Sequence, residues 1–371
     1  MSIDRWNPAS KQNSITTLQF ILTIHSMQLG VAALSMPGDL ARISGTDGWI
    51  ALFFGWMFSS AASLIIVQIM KAYPSGTIIE LMAHFFGKWT GKLTALLFGV
   101  YMSIFAYLIL DRMALLIQSW IMQQSKTYIL MLLFFVPAYT IVIGGVRAIG
   151  RYCEIVVLLS LWMLGAMLFL LKEGNWLHLL PVLKEGWMPV IRTINTTIIS
   201  FLGFESVFFL YPHLDNKKNA SWGVLAANTY TLLIYLFLTL ICFLVYSPDQ
   251  ISEYNEALLT VVKIIEFRFM ERFDIIMLAC YLLVISKTWV PALYFGAFSV
   301  KRLLIVGKPK RYAWLFLAVM FAITYVWDPD WNESQNAMKW FSRLGLAVAY
   351  VMPVLLWGVL SILLRFKRWQ T

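Results

Sequence analysis

The chain has 371 residues, 60% of them hydrophobic and only 13% charged, where a soluble domain carries roughly a quarter charged residues, so its main solvent is lipid. Its 26 Phe, 16 Tyr and 16 Trp exclude a disordered polymer. The net charge of +10 does not mark a nucleic-acid binder, because Lys and Arg are scattered through short gaps with no basic run and no recognition module.

A membrane helix needs about 20 mostly apolar residues, and ten stretches qualify: 14–37, 48–70, 93–117, 127–146, 152–171, 190–212, 221–246, 272–300, 312–327 and 340–364. The first is preceded by polar Asn7, Gln12, Asn13 and Ser14 rather than a basic region, which excludes a removable signal peptide. It carries Gln28-Leu29-Gly30-Val31 at mid-depth, and Pro37 is expected to end it. In the third, Tyr101 lies near mid-depth, and Asp111 and Arg112, near the outer end, read as an anchoring pair. The sixth carries Phe201-Leu202-Gly203-Phe204-Glu205. Between the seventh and eighth, 257–266 has the apolar spacing of an amphipathic helix lying over the outer mouth. The eighth holds Lys287, then Pro291 as a candidate kink, and Tyr294 two helical turns beyond Lys287 on the same face.

Lys and Arg concentrate in alternate gaps, among them Lys88, Lys92, Arg147, Arg151, Lys217, Lys218, Lys301 and Arg302, which sets both termini on the cytoplasmic side. The gaps are too short for a soluble catalytic domain. One transmembrane domain over 1–371 follows, built as two five-helix halves, about 14–171 and 190–364. Cys153, Cys242 and Cys280 lie inside apolar stretches with no metal-ligand spacing, and the four histidines are dispersed. No phosphate-binding loop, dinucleotide fingerprint, zinc-protease motif or nucleophile elbow is present. Neither an enzyme, a metal nor a cofactor is expected.

Irregular backbone at membrane depth survives only where protein or water satisfies the freed N–H and C=O groups. The breaks at Gln28, Gly30 and Val31 and at Leu202, Gly203, Phe204 and Glu205 fall in spans one and six of ten, corresponding members of the two halves. That is the pattern of inverted repeats around a central site. A half-helix N-terminus attracts a carboxylate and unwound carbonyls attract an ammonium, so a free amino acid suits the pair. A charge at the depth of Lys287 costs about 2.5 to 3.5 kcal/mol on insertion scales. Lys287 and Glu205 form a structural pair or make lumen-facing scaffold contacts, or Lys287 substitutes as a fixed ammonium for the ion that sodium-coupled proteins of this architecture hold between spans one and eight. Tyr101, Leu202 and Tyr294 are the further candidates for lining the pocket.

Thr17-Leu18-Gln19-Phe20, Asp47-Gly48-Trp49, Tyr73-Pro74-Ser75-Gly76-Thr77-Ile78-Ile79-Glu80, Gly87-Lys88-Trp89-Thr90-Gly91, Gly150-Arg151-Tyr152-Cys153-Glu154, Phe204-Glu205, Tyr211-Pro212 and Glu271-Arg272-Phe273-Asp274 occur in this order and spacing. In these the chain resembles the B subunit of the GerA-type germinant receptors of endospore-forming bacteria, within the amino acid–polyamine–organocation superfamily. The resemblance implies an all-α, ten-helix LeuT-like fold with helices 1 and 6 broken, a pocket for a small nutrient germinant, often an amino acid, and the spore inner membrane. It also implies assembly with a membrane A subunit and a lipoprotein C subunit. The glycine-rich turn of permeases is reduced here to the single Gly30. The competing reading of the same fold is a working amino acid transporter.

Overall fold

A computed structural model of the protein describes residues 13–266, 272–304 and 309–369. Glu271 lies outside the described residues, as do the first twelve and last two residues, on which the sequence reading places the termini. The described residues form helices, with one isolated parallel bridge between Ile15 and Leu214.

Predicted span one is two helices, α1 (Thr17–Gln28) and α2 (Ala32–Ser44). A capping box starts α1: Thr16 Oγ1 accepts from the Gln19 N–H at 3.2 Å, and Gln19 Oε1 accepts from the Thr16 N–H at 3.3 Å. Pro37 does not end the span. It sits inside α2, because the ladder has already been interrupted at 29–31 and restarted at Ala32; one missing N–H within the new helix is tolerated through to Ser44. Span two is α3 (Gly48–Lys71).

The next gap holds a short helix that periodicity did not reveal, α4 (Ile78–Phe86), started by a capping box of Thr77 and Glu80. Span three is α5 (Lys88–Trp120). At 1.5 Å per residue it is about 50 Å long, so it runs beyond the roughly 30 Å hydrocarbon core that set its predicted limits. Then come α6 (Thr127–Ile143) and α7 (Val146–Met167).

Span six is broken: α8 (Trp187–Ser200), a turn at 201–203, a 3-10 turn at Phe204–Ser206 and α9 (Val207–Leu210). After α10 (Ala220–Val245), the outer gap contains α11 (Pro248–Ser252) and α12 (Ala257–Val262), the latter shorter than its predicted 257–266. Span eight, α13 (Phe273–Leu304), continues through Pro291, and α14 (Pro309–Val326) follows. Span ten starts earlier than predicted, as α15 (Trp331–Leu346), because Asp330 caps it, accepting from the Glu333 N–H at 2.7 Å. A π-type turn at Ala347–Val351 joins it to α16 (Met352–Trp369).

Among the described residues, seven helical stretches are long and apolar enough to cross a membrane by length and composition, and α6 and α14 lie among shorter apolar helices. Large apolar side chains such as Leu97, Val136 and Leu355 are 61%, 71% and 65% exposed, the surface expected of a protein solvated by lipid. Inside, α5 lies along α13, while α1 is packed among α7, α10 and α13. That arrangement puts both breaks at the centre of the bundle.

Candidate functional site

Both predicted breaks exist, and they touch. Gly203 has φ +122°, and a Cβ there would stand 2.5 Å from the Met27 carbonyl oxygen, so only glycine lets the second break lie against the first. Gly30 faces α13, where a Cβ would meet the Thr288 side chain at 3.2 Å. Val31 caps the restarted α2 and is buried.

The carbonyls freed by the breaks are satisfied by side chains of surrounding helices, as the cost of bare carbonyls at this depth requires. The Tyr235 hydroxyl lies 2.8 Å from the Gln28 carbonyl oxygen and 2.9 Å from that of Ser200, bridging the two breaks. Tyr281 donates to the Gly30 carbonyl at 2.9 Å, and Thr288 to that of Ser26 at 2.7 Å. Gln28 is a second tie: its Nε2 donates to the Phe201 carbonyl at 3.0 Å and to Asn228 Oδ1 at 2.6 Å, while its Oε1 accepts from Thr231 at 2.8 Å.

Sequence reading found Gln28 and missed the residues that hold it. The signal was present: Asn228, Thr231 and Tyr235 are spaced three and four apart in span seven, a polar stripe on one helical face, and Tyr281 and Thr288 are seven apart in span eight.

Glu205 is fully buried at the second break. Its Oε1 accepts from the Tyr101 hydroxyl at 2.7 Å and its Oε2 from the Gly203 N–H at 2.7 Å. The donor pair that would suit a ligand carboxylate is therefore already filled by the chain's own carboxylate. The Tyr101 ring stacks on Phe341, with centroids 5.0 Å apart, and Phe341 stacks on Phe105 at 5.4 Å. Leu202 packs towards Gly345, where a Cβ would lie 2.6 Å from its Cδ1, and Phe204 meets the Tyr350 ring at 5.1 Å.

Lys287 does not pair with Glu205. It is fully buried on α13, and its Nζ has no hydrogen-bond partner among the described residues. It lies within electrostatic reach of His25 on α1 and Cys153 on α7, and the Cys153 thiol approaches the Lys287 carbonyl at 3.9 Å. Tyr294, two turns along, packs its ring near Phe295 and Phe298, at 5.6 and 6.2 Å.

Asp111 and Arg112 are not an ion pair with each other either. Asp111 accepts from Ser334 at 2.6 Å, and the Arg112 guanidinium lies 3.9 Å over the Trp331 ring. Adjacent residues on a helix point about 100° apart, so each finds its own partner on α15. A cavity of about 50 Å³ borders the first break on its α7 and α10 side, with His25, Leu29, Tyr230, Ile234 and Tyr281 in its wall. The groups of three or more His, Cys, Asp or Glu that could hold a metal are absent among the described residues.

A helical membrane bundle whose two interrupted spans meet at its centre, closed by polar side chains from the helices around them, defines a LeuT-type transporter fold. Solved structures share it: a Na+-coupled sialic acid symporter in a substrate-bound outward-open state (TM-score 0.65, 11% identity, 90% of this chain and 77% of that one); MHP1, a nucleobase-cation-symport-1 family transporter (0.60, 12%, 96% and 80%); and MhsT in complex with L-phenylalanine (0.57, 12%, 92% and 97%).

The chain belongs to the spore germination protein family, which it matches over residues 14–330. It is 22% identical to spore germination protein GerQB of Bacillus cereus over 351 residues, covering 94% of this chain and 96% of GerQB. Spore germination protein YndE of Bacillus subtilis (strain 168) is 24% identical over 363 residues, with 95% and 96% covered, and spore germination protein A2 of the same strain is 23% identical over 361, with 94% and 96% covered. The protein is thus a multi-pass membrane protein of a spore germination family built on a transporter fold.

Proposed function

We propose that this chain is the B subunit of a germinant receptor, binding a small nutrient germinant, most simply an amino acid, where the two breaks meet. The reading places it in the spore inner membrane with both termini on the core side. There it works with a membrane A subunit and a lipoprotein C subunit, and its ligand-bound state biases that complex toward germination. Its two five-helix halves, about 14–171 and 190–364, each contribute one break.

The observation that carries this reading is the polar closure of paired breaks at mid-membrane. Gln28, Asn228, Thr231, Tyr235, Tyr281 and Thr288 hold the unwound backbone. Glu205 offers a carboxylate beside Gly203. An arriving ammonium suits the remaining lone pairs of Glu205. Gly30, Val31, Leu202, Phe204, Tyr101 and Tyr294 complete the proposed lining, and Leu202 and Tyr101 set its size from the α15 side.

In this reading Lys287 provides, as a fixed ammonium between α1 and α13, the positive charge that ion-coupled proteins of this fold obtain from a bound cation. No ion is then needed to stabilise the ligand-bound conformation. A receptor requires only that ligand bind two conformations with different affinity. The transporter reading is favoured by two solved structures that share the fold, the Na+-coupled sialic acid symporter and the nucleobase-cation-symport-1 family transporter.

The two separate cleanly. Purified protein should bind a member of a panel of amino acids, nucleosides and sugars, yet proteoliposomes should not accumulate it against a gradient. Concentrative uptake of the bound compound would replace the receptor with a permease.

A further inference from the structure

A second polar level lies outward of the breaks. Arg112 is 11 positions beyond Tyr101 on α5, about 16 Å along the helix axis, and the stacked rings of Tyr101, Phe341 and Phe105 stand between the two levels. The outer level is enclosed by α5, α15, α2 and the N-terminus of α12. Arg42 of α2 fastens the loop before α12 in place, its Nε donating to the Ser252 carbonyl at 2.6 Å and its Nη2 to the Tyr254 carbonyl at 3.1 Å.

The groups gathered there are buried and incompletely matched. Arg112 and Glu256 are each 6% exposed and Asp111 is 1% exposed. Arg112 donates through Nη1 to the Trp331 carbonyl at 3.3 Å, but among the described residues its Nε has no hydrogen-bond partner, nor has the Trp331 indole N–H. Asp111 Oδ1 and Glu256 Oε2 likewise have none. Arg112 is within electrostatic reach of Glu256, Asp111 and Asp39, yet no ion pair joins it to any of them among the described residues. Among the described residues two buried N–H donors and two buried carboxyl oxygens are thus left without a partner.

Asp39 is already paired with Arg42 at 3.0 Å, but a simple anion would face Asp111 and Glu256, and a metal ion would face Arg112. A zwitterion answers both sets, with its ammonium to the carboxylates and its carboxylate to the Arg112 Nε–H and the indole N–H. We propose that this buried polar cluster at the N-terminus of α12 is a second binding site, for the ammonium and carboxylate of a free α-amino acid, distinct from the niche at the breaks.

Protonation bears on it directly. Burial pushes Glu256 up to about 8; Arg112 of α5 pulls it down, and Asp39 of α2 pushes it further up. Tyr281 of α13 also lies within its reach. The ammonium needs the carboxylate form, so occupancy of this site strengthens as pH rises from 7 to 8.5.

The test uses the full-length protein in nanodiscs and each of the twenty radiolabelled common amino acids as probe. The amino acid that binds should saturate at two per chain. Arg112→Lys and Glu256→Gln should each lower this to one at the same probe concentrations, with more than tenfold weaker binding at the lost site, and Glu256→Gln should remove the pH dependence. Gly203→Leu should also bind one, retaining the pH dependence.

Unchanged stoichiometry and affinity in both Arg112→Lys and Glu256→Gln, with folding verified by size-exclusion profile and melting temperature, would overturn the outer site. Failure of every probe to bind the wild-type protein, or binding of only one per chain that Gly203→Leu abolishes, would overturn it too. Two sites that persist in Gly203→Leu instead remove the niche at the breaks and leave the outer site standing.

Discussion

Gly203→Leu should abolish the germinant response of spores while the protein still reaches the membrane. Two causes act together at this position. The backbone has φ +122°, a region L-residues rarely adopt, at a cost of order 1 to 3 kcal/mol. A Cβ would also stand 2.5 Å from the Met27 carbonyl oxygen, so the added side chain forces the breaks apart and fills the space between them. The Gly203 N–H then no longer holds Glu205 at its present 2.7 Å. The penalty is concentrated where the breaks meet, and the lipid-facing helices that drive insertion are untouched. The check is a germination dose–response alongside immunodetection in spore membranes. An unaltered dose dependence would remove the ligand niche from the breaks.

Lys287→Met separates stability from response in opposite directions. The side chains have similar length, and Lys287 is fully buried with no hydrogen-bond partner for its Nζ among the described residues. Removing an uncompensated buried charge in favour of a packed apolar group is stabilising, by analogy with buried-charge replacements worth about 1 to 4 kcal/mol. The melting temperature of the purified protein should therefore rise by several degrees. The ammonium that we assign to the ligand-bound conformation is lost with it, so germinant sensitivity should fall at least tenfold, equivalent to about 1.4 kcal/mol of coupling. A more stable protein with a normal response would make Lys287 a scaffold residue. Sodium added at constant ionic strength should leave ligand binding to the wild-type protein unchanged.

The parts of this architecture that were legible in the sequence are those written in contiguous residues. Apolar runs of spanning length located the helices, and Gly30 and Gly203, each beside polar side chains inside such runs, located the breaks. Glu205 and Lys287 stood out because charge is rare at that depth. What could not be read depends on which helices become neighbours. Glu205 and Lys287 looked like complementary charges, yet Glu205 is held by Tyr101 and its own turn while Lys287 faces α1 and α7.

Tyr235, whose hydroxyl bridges Gln28 and Ser200, is one of 16 tyrosines, and only its place on the polar stripe with Asn228 and Thr231 distinguishes it. Pro37 lies inside α2 rather than at its end for a related reason. A proline's effect depends on whether a helix has already restarted upstream, and that restart was set at 29–31 by the packing of the two breaks. Helix α4 and the early start of α15 rest on capping boxes at Thr77 and Asp330, local signals that a search for long apolar runs passes over.

The central claim is that the nutrient sits where α1 ends at Gln28 and α8 ends at Ser200. A cryo-electron microscopy map of the full-length protein, determined with and without the compound found to bind it, tests this most directly. The account predicts added density in contact with Gly30, Gly203 and Glu205, with the Tyr101 and Glu205 side chains displaced from their 2.7 Å contact. Identical side-chain positions in the two maps at this centre, with ligand density only elsewhere, would contradict it.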